Sequence, residues 1–73
     1  MTNEKKRSRK IINERKSEIL KLISNGYESK EIAENLGYSL SMINHDLCEM
    51  YNDTFTNNKA HLISWAFRNG VLF

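Results

Sequence analysis

Residues 41–53, SMINHDLCEMYND, combine hydrogen-bonding side chains at helical spacing with no Lys or Arg. At 100° per residue, the apolar stripe of this segment lies opposite a polar side. That side carries Ser41, Asn44, His45, Cys48, Glu49 and Asn52. Asn can bond N6 and N7 of adenine, and Glu can accept from N4 of cytosine. We therefore predict base-reading roles for Ser41, Asn44, His45, Cys48 and Glu49.

Other chemistry has little support in the sequence. His45 and Asp46 are adjacent, so on a helix they point in different directions. Two histidines lack further ligands for a metal, and the single Cys48 excludes an internal disulfide and a cysteine-based zinc site. We predict no enzyme activity, no cofactor and no metal. We expect a cytoplasmic protein without a membrane-spanning segment.

The net charge of +2 is unevenly distributed. Residues 1–16 hold seven Lys or Arg against two acids, whereas residues 17–73 hold four against seven. Residues 1–11 are predicted to be a basic arm that contacts nucleic acid or is a solvated tail. The predicted phosphate contacts are Lys5, Lys6, Arg7, Arg9, Lys10, Arg15, Lys16, Ser29, Lys30 and Lys59.

Four helices are predicted in residues 12–73, at about 14–25, 29–36, 40–54 and 58–69. Asn13, Ser29 and Asn57 are the expected N-caps of helices 1, 2 and 4. No segment alternates apolar and polar residues as a strand would. The predicted inward residues are Ile19, Leu22, Ile23, Ile32, Ala33, Leu36, Ile43, Leu47, Met50, Thr54, Leu62, Ile63 and Ala66. Asp46 is expected at the boundary between core and solvent.

Helices 2 and 3 have the layout of a helix-turn-helix, with a short turn at Gly37 and the small Ala33 allowing close approach. The stretch INERKSEILKLISNGYESKEIAENLGYS resembles the LuxR/GerE-type helix-turn-helix DNA-binding domain of bacterial regulators. The matching positions are Ile12, Glu14, Arg15, Glu18, Ile19, Leu20, Leu22, Ile23, Gly26, Lys30, Glu31, Ile32, Ala33, Leu36 and Ser39. A sigma-factor-like or phage-type four-helix module is the lesser alternative.

The resemblance continues to about Leu72 and implies an all-α, four-helix DNA-binding fold with helix 3 in the major groove. It also implies a phosphate contact at Lys30. The chain departs from the family pattern in helix 3. Asn44 replaces a base-contacting Lys, Asp46 replaces a common His, and Asp53 replaces an often basic residue.

Helix 4 carries a second stripe, His61, Trp65, Arg68 and Leu72, outside its inward one. Similar domains commonly dimerise through their last helix, so this stripe is a predicted interface with a second copy. Alternatively, Trp65 only covers the small core.

Two functional hypotheses follow. The first is a free-standing regulator, bacterial or phage, that binds specific double-stranded DNA as a homodimer. The second is a protein-interaction module that pairs with a larger helix-turn-helix regulator and blocks it. The acidic helix 3 favours the second hypothesis, and the basic arm favours the first.

Overall fold

The computed structural model describes residues 11–73, and within that range the chain forms four α-helices and no strand. They are α1 (Glu14–Ser24), α2 (Ser29–Leu36), α3 (Leu40–Thr54) and α4 (Lys59–Arg68). The predicted all-α class is confirmed, and each helix ends within one residue of its predicted bounds. Residues 1–10 of the predicted arm lie outside the described part of the chain.

Short polar side chains start three of the helices. Asn13 Oδ1 accepts the backbone N–H of Lys16 at 2.8 Å, so the predicted cap of α1 is confirmed. Ser39 Oγ accepts from Met42 N at 3.1 Å at the start of α3. The predicted cap of α4, Asn57, is wrong by one residue, because Asn58 Oδ1 accepts from His61 N at 2.9 Å. These bonds satisfy backbone donors that have no partner within the helix.

The start of α2 differs from the prediction. Ser29 is the first helical residue, and Glu28 occupies the cap position. The backbone N–H of Glu28 donates to Glu31 Oε1 at 2.9 Å. Two carboxylates therefore flank this helix end, where the helix dipole favours negative charge.

All four helices contribute to one apolar core. Its members are Ile12, Ile19, Leu20, Ile32, Ala33, Ile43, Leu47, Met50, Leu62, Ala66 and Leu72. Leu20 was not among the predicted inward residues, whereas Leu22 and Ile23 are only partly buried. The reason is that α1 contacts each of the other three helices. Its buried surface is therefore wider than one amphipathic stripe.

The corner between α2 and α3 is tight. Gly37 ends α2 at φ 75°, in the left-handed region that glycine adopts without a steric penalty. The N–H of Tyr38 then donates to Ala33 O at 3.0 Å. Ala33 itself is buried, as predicted from its small size. This corner sets the direction of α3 relative to α2.

The chain turns back after α4. Gly70 has φ 74°, and the N–H groups of Val71 and Leu72 both donate to Ala66 O, at 2.9 and 3.2 Å. This turn places Leu72 in the core at 6% exposure. Leu72 is therefore not available for the predicted dimer interface. The prediction was wrong because it extended the helical stripe beyond the point where the helix ends.

Phe55, which follows the last residue of α3, has a left-handed backbone conformation. Its φ is 57°, and it is the only non-glycine residue with positive φ in the described range. Its side chain is 89% exposed, so packing does not offset the backbone cost. For an L-residue that cost is about 1–2 kcal/mol.

Phe55→Gly should therefore stabilise the fold by about 0.5–1 kcal/mol, after allowing for the greater freedom of glycine in the unfolded chain. The measurement is the free energy of unfolding in urea. Gly37→Ala is the matched opposite change. The added Cβ meets no atom within 4 Å, but the alanine must adopt the left-handed backbone of the glycine. It should cost about 1 kcal/mol. A less stable Phe55→Gly would show that the phenyl ring makes a stabilising contact.

Candidate nucleic-acid interface

Helix α3 divides into a buried and an exposed side much as the sequence indicates. Ile43, Leu47, Met50 and Thr54 are buried, as predicted. The other side is exposed, and six of its polar residues form what we call the reading face: Ser41, Asn44, His45, Cys48, Glu49 and Asn52. It brings together all five predicted base-reading residues on one continuous surface.

Asp46 is the main departure from the prediction for this helix. It is fully buried, at 0% exposure, rather than lying at the edge of the core. Arg15 of α1 reaches it with two nearly parallel bonds, Nε to Oδ2 at 2.6 Å and Nη2 to Oδ1 at 3.0 Å. Such a two-point pair satisfies both carboxylate oxygens with one planar cation. Burial of the carboxylate is possible because its partner is brought to it by a different helix.

Arg15 also contacts the turn between α2 and α3. Its Cζ lies 5.8 Å from the ring centroid of Tyr38, within the range of a cation–π interaction. The hydrogen bond and the charge of Asp46 raise the pKa of the Arg15 guanidinium above its already high ordinary value. Arg15 thus links α1, the turn and α3 through one permanently charged group.

The next residue of α1 forms a second ion pair with α3. Lys16 Nζ lies 3.0 Å from Glu49 Oε1, while His45 Nε2 lies 3.4 Å from Glu49 Oε2. Lys16 is 7% exposed, whereas the Glu49 side chain remains 48% exposed. The hydrogen bond and charge of Lys16, with a smaller contribution from His45, lower the pKa of Glu49. Glu49 therefore remains an ionised acceptor on the reading face.

These two pairs change the roles expected for Arg15 and Lys16. Both were predicted to contact phosphates, but in the structure their charges are matched by Asp46 and Glu49. Two of the three acids of α3 are thereby neutralised from within the protein. Asp53 is exposed, and within residues 11–73 no ion pair involves it.

The other predicted phosphate contacts differ in how exposed their side chains are. Lys30 is exposed, whereas Ser29 and Lys59 are partly buried. Glu28 and Glu31 lie at the same helix end as Lys30, so a phosphate there would meet two carboxylates as well as the lysine. The predicted contacts Lys5, Lys6, Arg7, Arg9 and Lys10 lie outside the described residues.

The exposed apolar surface of α4 is not the predicted stripe. His61 and Arg68 are exposed, but Trp65 is half-buried against the core and Leu72 is buried. Instead, Ala60, Ile63 and Phe67 line a shallow groove together with Ile23 and Tyr27 of the α1–α2 region, which we call the apolar groove. Phe67 is 49% exposed there. The spacing of Ala60, Ile63, Ser64 and Phe67 was a signal for this stripe, but the prediction overlooked it.

Within residues 11–73, no group of three His, Cys, Asp or Glu side chains could hold a metal ion. None of the four helices is both long and apolar enough to cross a membrane.

Comparison with known proteins adds no identification. No protein-family model, curated protein or solved structure matches this chain. The resemblance to the LuxR/GerE-type domain thus remains a prediction from the residues that carry it.

Removing Arg15 should test the buried pair. Arg15→Met leaves the carboxylate of Asp46 buried without its partner, so we expect the thermal midpoint to fall by about 10 °C or more. The double variant Arg15→Met/Asp46→Leu should recover most of this loss, because the buried carboxylate is then removed together with its partner. Lys21→Met, which breaks an exposed pair with Glu18, is the control and should change little. Equal losses in the single and double variants would contradict this account.

Glu49 should make stability depend on pH. Its pKa is lowered in the folded protein, so its contribution is present above the ordinary glutamate pKa and is lost as the pH falls through the folded value. The stability difference between the native chain and Glu49→Gln should therefore be constant near neutrality and disappear as the pH falls below the ordinary glutamate pKa of about 4.3. The effect should be modest, because Glu49 is half-exposed. In a Lys16→Met background the same substitution should lose this pH dependence.

Proposed function

We propose that this protein is a sequence-specific, double-stranded DNA-binding transcriptional regulator with a LuxR/GerE-type helix-turn-helix. The supporting observation is the reading face of α3, which is continuous, exposed and hydrogen-bonding. The acidic composition of α3 had been the strongest argument against this function. Arg15 and Lys16 neutralise Asp46 and Glu49, so two of the three acids of α3 no longer oppose the approach of DNA.

In the proposed complex, α3 enters the major groove. Asn44 bonds the N6 and N7 edge of adenine, and Ser41 and His45 offer further donors and acceptors. Residues near the start of a recognition helix are those that usually meet base edges. Ser41, Asn44 and His45 lie in the N-terminal half of α3 and therefore fit this geometry.

Affinity must then come from outside the helical body. Residues 11–73 carry six Lys or Arg against eight Asp or Glu, whereas residues 1–10 carry five against one. Phosphate neutralisation dominates most protein–DNA affinity, so a body of net negative charge needs an added cationic segment. The pair of Arg15 with Asp46 places the start of α1 beside α3. In the proposed complex, residues 1–10 supply that cationic segment.

We propose a second copy as the occupant of the apolar groove. Ala60 and Ser64 are small and exposed, one helical turn apart on α4, so a second α4 can approach closely there. Phe67 then supplies the large apolar contact. A two-fold pair would place two α3 helices in successive major grooves, and the expected target is an inverted repeat.

The interaction module is the alternative, and the same groove favours it. An apolar surface on α4 fits the corresponding helix of a larger helix-turn-helix regulator as well as a second copy. In that case the reading face would have no role in binding duplexes. Both functions are compatible with a cytoplasmic protein.

The arm provides the first test of DNA binding. A variant with Lys5, Lys6, Arg7, Arg9 and Lys10 all changed to Gln should bind every duplex more weakly. If all five contact phosphates, the slope of log K against log salt should become shallower by about 4–5. The measurement is a mobility shift at several salt concentrations, on duplexes selected from a random pool.

Asn44→Ala should behave differently. It should keep the salt slope but reduce the preference among sequences, because base contacts rather than phosphate contacts are lost. Lys21→Gln, whose lysine is paired with Glu18, is the control for nonspecific loss of charge. If no duplex is enriched and Phe67→Asp abolishes pairing with a larger helix-turn-helix regulator, the interaction module is the better description.

A further inference from the structure

Glu49 is the only residue of the reading face with a carboxylate, and that carboxylate is held from two sides. Lys16 Nζ bonds Oε1 at 3.0 Å, and His45 Nε2 lies 3.4 Å from Oε2. Lys16 is almost completely buried, so its ammonium is fixed by the packing of α1 against α3. An ordinary surface glutamate samples many rotamers, whereas this one is restrained to one region of the helix surface.

The restraint leaves Glu49 free to accept further bonds. A carboxylate offers about four acceptor sites on its two oxygens, and the ammonium of Lys16 lies against only one of these oxygens, Oε1. About half of the side chain remains exposed, on the same side as Asn44 and His45. Because it is ionised, it can accept hydrogen bonds but cannot donate them.

Only one base presents a suitable edge to such a group in the major groove. Guanine presents two acceptors, N7 and O6, and thymine presents the acceptor O4 beside a methyl group. Adenine presents the N6 donor next to the N7 acceptor, which repels a carboxylate. Cytosine presents the N4 amino donor without a neighbouring acceptor. A fixed carboxylate therefore discriminates in favour of cytosine.

Lys16 also reduces the repulsion between the Glu49 carboxylate and the DNA phosphates. A free carboxylate entering the groove would be repelled by the phosphates on both sides. The ammonium 3.0 Å away cancels most of that charge at long range, while the oxygen lone pairs remain available at short range. Lys16 does not itself need to touch the DNA.

We infer that Glu49 selects a cytosine in each half-site, and that Lys16 is a positioning residue which orients and neutralises it. The inference rests on the proposed function, since it specifies what the reading face recognises. It gives the lysine a role different from the phosphate contact expected from its charge alone.

The decisive test uses the native protein and a modified base. Selection from random duplexes should enrich cytosine at one position of each half-site. Replacing that cytosine with N4-methylcytosine keeps base pairing but removes the hydrogen that points into the major groove. Affinity should fall about 5- to 150-fold, which corresponds to the usual worth of one good base contact. Glu49→Ala should bind both duplexes equally, whereas Glu34→Gln, which removes an acid from α2, should keep the native preference.

Lys16→Met and Lys16→Gln then test the positioning role, with helicity measured to confirm folding. Both variants should reduce the preference for cytosine over N4-methylcytosine at least several-fold, an effect that loss of stability alone would not produce. Retention of the full preference in either folded variant would overturn the positioning role. If the native protein enriches no duplex, the proposed function itself fails. If it enriches duplexes whose cytosine preference survives in Glu49→Ala, only the present inference fails.

Discussion

One buried carboxylate constrains how α1 and α3 meet. Asp46 lies wholly within the protein between α1 and α3, where an unpaired charge would be strongly unfavourable. Its two oxygens are matched by the fork of Arg15, whose guanidinium also lies near the ring of Tyr38 in the helix-turn-helix corner. Apolar contacts are not directional. A two-point ion pair has a single satisfactory geometry, and it fixes their register.

That register determines the surface of α3. When Arg15 pairs with Asp46, the next residue of α1, Lys16, lies beside Glu49, which is three residues after Asp46 on α3. The two pairs therefore form a short ladder between α1 and α3. One consequence is structural, because the buried Asp46 and Lys16 each have a partner of opposite charge. The other is electrostatic, because the exposed side of an acidic helix becomes nearly neutral and can approach a polyanion.

The division of charge separates binding from discrimination. Arg15 and Lys16, two cations predicted to contact phosphates, are paired with acids inside the body, and residues 11–73 carry a net negative charge. In the proposed function, the basic arm supplies attraction that does not depend on sequence, and the reading face supplies preference. In the same proposal, the apolar groove beside Phe67 pairs two bodies. Each task then falls to a different part of a short chain.

The sequence alone determined the local features. Helical periodicity and polar residues at helix ends, such as Asn13, predict four helices to within a residue, because caps and amphipathic stripes act over one or two turns. The same periodicity identifies the exposed side of α3. None of this depends on how the helices meet.

Only the tertiary structure decided the roles of the charged residues. Arg15 and Asp46 are 31 positions apart, and no local pattern indicates that they pair. Leu72 continued a helical stripe in the sequence, yet the turn after Gly70 carries it into the core. A charge or an apolar side chain has its effect through whatever lies within a few ångströms of it. Those neighbours come from distant parts of the chain and are known only once the helices are packed.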